Sequence, residues 1–248
     1  MTLVSAKSGY DSALKHYPKR FNKDNLALVP FAIRKEAFSV PLDKNANRKA
    51  LGLDENRFTV VLFDGGYGIG KMGKVAELLA KSDMNITVVP VCGKNVKLYE
   101  KLKAVTPSPS VDFRVLGFTD RILEYLGAAD LFMGKSGASS VAEPCFFGVP
   151  EIITSYATQM EQHNAHYYID HVGNALAIFN PKKAAEKVRF FYDNPQELEK
   201  LAEKARAHHD NYGAEQTADI MWELLKKKFP DLAEEEKKQA QAEKSAPK

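Results

Sequence analysis

The sequence predicts an α/β fold in which a parallel β-sheet carries helices on both faces. From about residue 58 onward, strand-like and helix-like segments alternate strictly, and runs such as Phe58–Phe63 (FTVVLF) and Ile86–Val91 (ITVVPV) are apolar throughout. Continuous apolar runs are typical of strands that crossover helices bury on both sides. Because ligands of such sheets bind at the carboxyl ends of the strands, the loops after strands are the places to search for a site.

The boundaries of the predicted elements follow from apolar runs, caps and breakers. Before residue 58 we expect a helix over 8–20, an extended segment over 26–33 and a helix over 44–51 that ends at Gly52. The later strands are expected at 58–63, 86–91, 111–116, 130–133, 150–154 and 174–178. The first of the later helices is expected to follow the glycine loop at 64–70 and to end at about residue 81. The others are expected over 94–104, 120–128, 139–147, 160–171, 181–193, 196–209 and 214–228.

Length and composition are ordinary for a soluble chain. It has 248 residues, of which 44% are hydrophobic and 27% charged, with a net charge of +3. That charge is too small to indicate nucleic-acid binding but is compatible with weak contact with an anionic membrane surface. No apolar run approaches the ~18 residues that span a bilayer, and no signal-peptide core is present, so we expect a cytoplasmic, membrane-peripheral protein. Cys92 and Cys145 lie in apolar stretches and are expected to be buried, reduced thiols.

A loop with four glycines, DGGYGIGK at 64–71, joins the first buried strand to its helix. Glycine lets backbone amides approach a phosphate, and a helix N-terminus adds a favourable dipole. The loop predicts either a phosphate site or a tight turn that binds nothing. Met72 stands where a nucleoside-triphosphate loop needs Ser or Thr, and Lys71 stands where the dinucleotide fingerprint needs glycine. A triphosphatase and a nicotinamide enzyme are therefore disfavoured.

The segment GKSGASSVAE at 134–143 crowds small residues and hydroxyls into the start of a predicted helix. Ser139 or Ser140 is expected to cap that helix, and its free amides suit a pyrophosphate. Glu143 falls one turn inside, where it either accepts hydrogen bonds from a ribose diol or only complements the helix dipole. Spacing alone leaves both interpretations open.

The sequence predicts no metal site. His163 and His166 lie three residues apart on a predicted helix, but no cysteine or third ligand lies near them in the sequence. An Asp-x-Asp motif is also absent. We expect no cofactor.

The segment SGASSVAEPCFFGVPEII, which starts at Ser136, resembles the donor-binding segment of nucleotide-sugar glycosyltransferases with two facing Rossmann-like domains, the GT-B fold. It is most similar to the family-28-like group that contains the monogalactosyl- and diglucosyl-diacylglycerol synthases and the N-acetylglucosaminyltransferase that forms lipid II. Four further segments resemble this group in the same order, namely PFAIRKEAF (30–38), FDGGYGIG (63–70), GFTDRILEYLGAAD (117–130) and QMEQHNA (159–165). Together the five cover roughly residues 2–225.

The resemblance implies a Rossmann-like C-terminal half of a GT-B fold that binds a UDP-sugar. By it, Arg34 would neutralise the departing diphosphate, Glu143 would bind the uridine ribose, and Phe118 with the Thr119 backbone would face the uracil. The diphosphate path would be lined by Gly66, Gly68, Ser136, Gly137 and Ala138, and Lys135 stands where the group often has a basic residue among its donor-binding residues. Sugar hydroxyls would be contacted near Gln159, Glu161 and Gln162. Their spacing to Asn164 departs from the Gln-Glu-x-x-Asn form of the group, which leaves the equivalent residue open.

The resemblance also implies how the chain is organised. Residues 1–33 would be a remnant of the N-terminal acceptor domain, 34–57 an interdomain linker, 58–229 the nucleotide-sugar-binding domain and 230–248 a disordered charged tail. The implied activity is metal-independent hexosyl transfer to a lipid acceptor such as diacylglycerol. The general base would lie in the missing N-terminal domain, so the isolated chain is expected to be inactive. Two alternatives remain open: a non-catalytic UDP-sugar-binding subunit with a separate acceptor-domain partner, or a sugar-nucleotide epimerase of the same architecture.

Overall fold

A computed structural model describes residues 2–68 and 70–231 of the chain. Its strands are β1 (Thr2–Val4), β2 (Leu26–Leu28), β3 (Phe58–Phe63), β4 (Ile86–Val91), β5 (Asp112–Phe113), β6 (Leu131–Lys135), β7 (Glu151–Ser155) and β8 (Ala175–Ala177). Its helices are α1 (Lys7–His16), α2 (Lys44–Leu51), α3 (Met72–Ala80), α4 (Val96–Lys103), α5 (Ile122–Ala128), α6 (Ala138–Phe146), α7 (Gln159–His166), α8 (Pro181–Asp193), α9 (Pro195–Ala207) and α10 (Ala214–Lys228). The predicted tail lies, from residue 232 on, outside the described residues.

The larger of two compact units comprises Ile33–Asp210 and contains a six-stranded sheet. The strand order is β5-β4-β3-β6-β7-β8, and every neighbouring pair is parallel. The prediction of a parallel sheet with helices on both faces is therefore confirmed. The chain runs outward from β3 to β5 and then returns to the other side of β3. This places the topological switch point between β3 and β6.

The core of this unit follows from the apolar strands. Leu62, Val88 and Leu131, on the three central strands, have no solvent-exposed surface and belong to one hydrophobic cluster with α3 and α8. Cys92 and Cys145 are buried, as expected, and burial raises the pKa of the Cys92 thiol to about 11. In the part of the chain that the structure describes, no helix is both long and apolar enough to cross a bilayer.

β5 is shorter than the strand predicted over 111–116. Arg114 and Leu116 still donate backbone hydrogen bonds to Val88 and Pro90 of β4, and Cys92 donates to Leu116. Pro90 has no N–H with which to continue the ladder, so the regular pairing stops after Phe113.

The division of the chain into units differs from the predicted domains. The region expected to be a linker, 34–57, groups with the larger unit, because α2 packs on α5 and buried Arg48 bonds to Asp130 and to the carbonyl of Ala128. α2 itself spans the predicted residues and ends at Gly52 in the left-handed conformation. α10, expected in the nucleotide-sugar-binding domain, groups instead with residues 1–32 in the smaller unit, where β1 and β2 form a parallel pair.

Candidate functional site

The two loops singled out by the sequence start side by side at the switch point. β3 pairs with β6 up to Phe63 and Gly134, so the glycine loop after β3 and the small-residue loop after β6 leave the same edge of the sheet. Each loop leads into a helix, α3 and α6 respectively. Two helix N-termini thus lie at this crevice, and a helix N-terminus attracts an anion where its amides are not already occupied.

The tight-turn interpretation accounts for most of the glycines in the first loop. Gly65 and Gly68 have positive φ angles of 80° and 57°, which disfavour other residues. A Cβ on Gly68 would lie 2.5 Å from the carbonyl oxygen of Cys92, and one on Gly70 would collide with the carboxylate of Asp64. Gly66 alone among these four has an ordinary φ and open space around its Cα. The number of glycines is therefore no evidence for a phosphate here.

Asp64 lies at the start of α3 and bonds to its first amide. The sequence pattern did not single this residue out. Asp64 is 2% exposed, and its Oδ2 accepts a hydrogen bond of 2.8 Å from the backbone N–H of Met72. Burial raises the pKa of Asp64 above its ordinary value, although that hydrogen bond and the charge of Lys135 act in the opposite direction. The signal in the sequence was an acidic residue directly after a largely apolar, strand-like run. An internal carboxylate at this N-terminus disfavours binding of an external anion.

The start of α6 is different, because no side chain among the described residues is seen to cap it. The N-cap residue is Gly137, with extended backbone angles of φ −61° and ψ 152°, and it has no side-chain acceptor. The expectation that Ser139 or Ser140 caps the helix is wrong, since the helix begins at Ala138 and both serines lie within its first turn. The first amides of α6 therefore lack a side-chain cap, as an anion site requires.

Ser136 and Lys135 connect this loop to α7. Ser136 is buried, its hydroxyl donates to the carbonyl of Glu161 at 2.8 Å, and its own carbonyl accepts from the Asn164 side chain at 3.2 Å. The Nζ of Lys135 lies 2.6 Å from Oε1 of Glu161. Burial raises the pKa of Glu161, but hydrogen bonds from Lys135 and the N–H of Ala157 outweigh it and leave the pKa below its ordinary value.

These contacts distinguish the three residues predicted near the sugar. Glu161 is the first-turn residue of α7 whose carboxylate reaches the loop of Lys135, and it lies three residues before Asn164. Gln159 is exposed and Gln162 is half-buried on the same helix. The structure thus brings Glu161 to the crevice.

Glu143 and Arg34, which lie 109 residues apart in the sequence, form a two-pronged ion pair. The Nε and Nη2 of Arg34 donate to Oε1 and Oε2 of Glu143, both at 2.7 Å. The Glu143 side chain is 3% exposed and that of Arg34 46%. The hydrogen bond to Glu143 raises the pKa of Arg34 above its ordinary value. Glu143 is therefore more than a surface acid that complements the dipole of α6.

Phe118 and Thr119 lie beyond the carboxyl end of β5. The ring of Phe118 is 71% exposed, and the Thr119 hydroxyl accepts a hydrogen bond from the N–H of Arg121 at 3.1 Å. An exposed aromatic ring beside a turn can contact a planar base. Within residues 2–68 and 70–231, no group of three or more His, Cys, Asp or Glu side chains could hold a metal ion.

Comparison with known proteins identifies a family match for most of this chain. Residues 69–235 match the family model described as glycosyltransferase family 28 C-terminal domain. Monogalactosyldiacylglycerol synthase of Spinacia oleracea is 32% identical over 173 residues, covering 66% of this chain and 33% of the synthase. UDP-N-acetylglucosamine--N-acetylmuramyl-(pentapeptide) pyrophosphoryl-undecaprenol N-acetylglucosamine transferase of Carboxydothermus hydrogenoformans is 28% identical over 220 residues, covering 85% of this chain and 58% of that transferase.

A solved structure shares the fold. The crystal structure of MurG from Acinetobacter baumannii matches with a TM-score of 0.53 and 18% identity, covering 66% of this chain and 48% of that one. The chain spans 33% and 58% of the length of the two relatives named above.

Proposed function

Given that the chain belongs to glycosyltransferase family 28, we propose that it is a donor-binding domain that holds a UDP-sugar for transfer to a lipid acceptor. One observation carries the proposal: α6 presents an uncapped N-terminus at the switch point and a buried carboxylate, Glu143, in its second turn. The helix start suits a diphosphate, and the carboxylate suits the hydroxyls of a ribose.

The spacing along α6 fits a nucleoside diphosphate. Ala138 and Glu143 are five residues apart, which corresponds to about 7.5 Å along the helix axis at about 1.5 Å per residue. A diphosphate at the amides of Ala138 and Ser139 would thus place its ribose beside Glu143. Lys135 and the Gly66 and Gly68 backbone would border the diphosphate, and Phe118 with Thr119 would meet the uracil.

The proposed reaction is direct displacement at the anomeric carbon by an acceptor hydroxyl. Negative charge grows on the departing diphosphate, and the N-terminus of α6 with Lys135 stabilises it in place. Glu161, held by Lys135 and the N–H of Ala157, would accept hydrogen bonds from the sugar hydroxyls. The acceptor site and the general base are assigned to the facing acceptor domain of the GT-B fold, whether that domain belongs to the same polypeptide or to a partner.

The acceptor class is proposed from the relatives. The spinach relative is named for monogalactosyldiacylglycerol and the bacterial one for a pyrophosphoryl-undecaprenol. Both names denote lipids, which supports a lipid acceptor and a membrane-peripheral location for this chain, whereas the cytoplasmic location stays a prediction.

Titration calorimetry of the chain with UDP, ADP and NAD tests the proposal. We expect UDP to bind with micromolar-to-millimolar affinity, on the order of 4–8 kcal/mol, and more tightly than the other two. Equal or tighter binding of ADP or NAD would remove the uridine assignment.

A further inference from the structure

We infer that Glu151 is held in the folded chain as a neutral carboxylic acid that exchanges two side-chain hydrogen bonds with Asn174, and that this pair is a proton-dependent latch on the edge strand β8. Glu151 is the first residue of β7, and Asn174 directly precedes β8. The pair therefore lies at the amino ends of two parallel strands, on the edge of the sheet opposite the candidate site. The inference does not depend on the proposed function.

Two hydrogen bonds join these residues directly. The backbone N–H of Glu151 donates to the carbonyl of Asn174 at 3.1 Å. The side-chain Nδ2 of Asn174 donates to Oε1 of Glu151, also at 3.1 Å. Neither residue has any solvent-exposed surface. Bulk water therefore does not reach the polar atoms of the two side chains.

One oxygen of each side chain is left without a donor. Oε2 of Glu151 and Oδ1 of Asn174 are buried, and in the part of the chain that the structure describes neither has a hydrogen-bond partner. An ionised carboxylate can only accept hydrogen bonds, whereas a protonated carboxyl also donates one. A proton on Oε2 lets the hydroxyl donate to Oδ1 and closes a ring of two side-chain hydrogen bonds. The same proton thus satisfies two buried oxygens, which are unfavourable without a partner.

The surroundings of the pair favour the neutral acid. Burial raises the pKa of Glu151 well above its ordinary value, and the hydrogen bond from Asn174 acts in the opposite direction. The neighbouring strands place Phe132 and Ala175 opposite Glu151. The buried face of α8, which packs on the sheet, is apolar and consists of Ala184, Val188 and Phe191. Burial among apolar groups disfavours the charged form of an acid.

No cation compensates a charge on Glu151. The turns before the two strands, at Gly148 and Gly173, contact segments with four titratable side chains, namely Cys145, Tyr168, Lys204 and Arg206. Lys204 and Arg206 are exposed, and Arg206 is paired with Glu199. Within residues 2–68 and 70–231, neither forms an ion pair with Glu151, whose bonded partner is Asn174. The other acid of α6, Glu143, is paired with Arg34.

β8 depends on β7 for its place in the sheet. It has three residues and is the last strand in the order, next to β7. Opening this edge exposes Glu151 to water, where the acid releases its proton above its ordinary pKa of 4.5. Because the pKa is higher in the fold, the edge is most stable below pH 4.5 and becomes easier to open as the pH rises to the folded-state pKa. Above that pKa the effect is constant. The proton on Glu151 is therefore what holds the latch closed.

Infrared spectroscopy of the whole chain tests the neutral acid. A protonated carboxyl has a carbonyl stretching band that ionised carboxylates lack. We expect this band in the parent chain at about pH 6, where exposed glutamates are ionised. Isotopic labelling of the glutamate carboxyls should shift the band, which distinguishes it from a band of the buried Asp64. Glu151→Gln should lack the band, and Glu203→Gln, which neutralises an exposed glutamate, should retain it. A parent chain without the band would overturn the inference.

Amide hydrogen exchange tests the latch. The N–H of Glu151 reports on the edge formed by β7 and β8, and the N–H of Arg114, which donates to Val88 on the other side of the sheet, is the matched control. After correction for the intrinsic exchange rate, protection of the Glu151 amide should fall about tenfold per pH unit above about pH 5. The fall should stop at the pH where the infrared band disappears. Protection of the Arg114 amide should not change.

The contrary results are distinct. Equal losses of protection at the two amides would show that the sheet opens as a whole, and constant protection of the Glu151 amide would show that opening releases no proton. Either result would overturn the latch. In Glu151→Gln the side-chain amide keeps both hydrogen bonds of the ring without a titratable proton, so neither reporter amide should respond to pH beyond the intrinsic rate. The same tenfold fall in this variant would overturn the assignment to Glu151.

Discussion

Gly137→Asp should stabilise the fold and weaken donor binding at the same time. Gly137 is the N-cap of α6, with φ −61° and ψ 152°, angles that any residue can adopt. An added Cβ would lie 3.3 Å from the Ser140 hydroxyl and 3.8 Å from Cε of Lys135, so small movements accommodate it. An aspartate there can accept hydrogen bonds from the first amides of the helix.

The two effects can be estimated separately. Replacing an N-cap glycine by aspartate stabilises a helix by a few tenths of a kcal/mol, and its charge adds about 0.3–1 kcal/mol through the helix dipole. For a unit of this size we expect the melting temperature to rise by about 1–6 °C. In binding, the internal carboxylate competes with the diphosphate for the same amides. Loss of even one charge-assisted bond, about 1.5–3 kcal/mol, weakens UDP tenfold or more.

Thermal melting and calorimetry with UDP, on the parent chain and three variants, separate these effects. Gly137→Asn caps without a charge and should weaken UDP less than Gly137→Asp. Gly137→Ala adds a Cβ without an acceptor and should leave UDP affinity within about threefold. A higher melting temperature with unchanged UDP affinity in Gly137→Asp would refute the assignment of the diphosphate to α6.

Three further predictions test other parts of the argument. Glu143→Gln should weaken the binding of UDP about tenfold or more, whereas it should lower the affinity for 2′-deoxy-UDP much less, because the two changes act on one contact. Equal losses of affinity for the two ligands would show that Glu143 has only a structural role. Burial raises the pKa of Glu151 well above its ordinary value of 4.5, so the free energy of unfolding should fall as the pH rises from about that value through the higher folded-state pKa. Glu151→Gln, still paired with Asn174, should lose this dependence in melting curves from pH 5 to 8, and parallel curves for the two proteins would contradict it. Finally, the chain alone with labelled UDP-glucose or UDP-galactose and diacylglycerol should form no glycolipid above background; robust product would show that the acceptor domain is dispensable.

The sequence predicts those elements best that are determined by local pattern. β3 and β4 occupy the predicted residues, because continuous apolar runs set both their ends, and α8 and α10 also match. β5 is shorter than predicted because its length depends on the partner strand, where Pro90 interrupts the ladder. The sequence of one strand does not show which backbone N–H groups its partner strand can donate.

The sequence predicts candidate members of the site but not the contacts between them. Arg34 and Glu143 were both singled out, yet their pairing joins residues 109 positions apart and depends on the 3-10 turn Lys35–Ser39, which packs on α6. Position 68 likewise requires glycine because the carbonyl of Cys92, in the loop after the next strand, leaves no room for a Cβ. Counting glycines within one loop could not reveal that constraint.

The crevice also shows how two similar helix starts come to differ in their contacts and thus as candidate anion sites. Both α3 and α6 begin at the switch point after a glycine-containing loop, so position alone favours neither as an anion site. Asp64 binds an amide at the start of α3, and Gly70 must lack a side chain to leave room for its carboxylate. At α6 the N-cap is glycine, and the nearby acidic residue, Glu161, is paired with Lys135. An anion entering the crevice would meet a carboxylate at one helix and uncapped amides beside a lysine at the other, which favours α6 as the proposed diphosphate site.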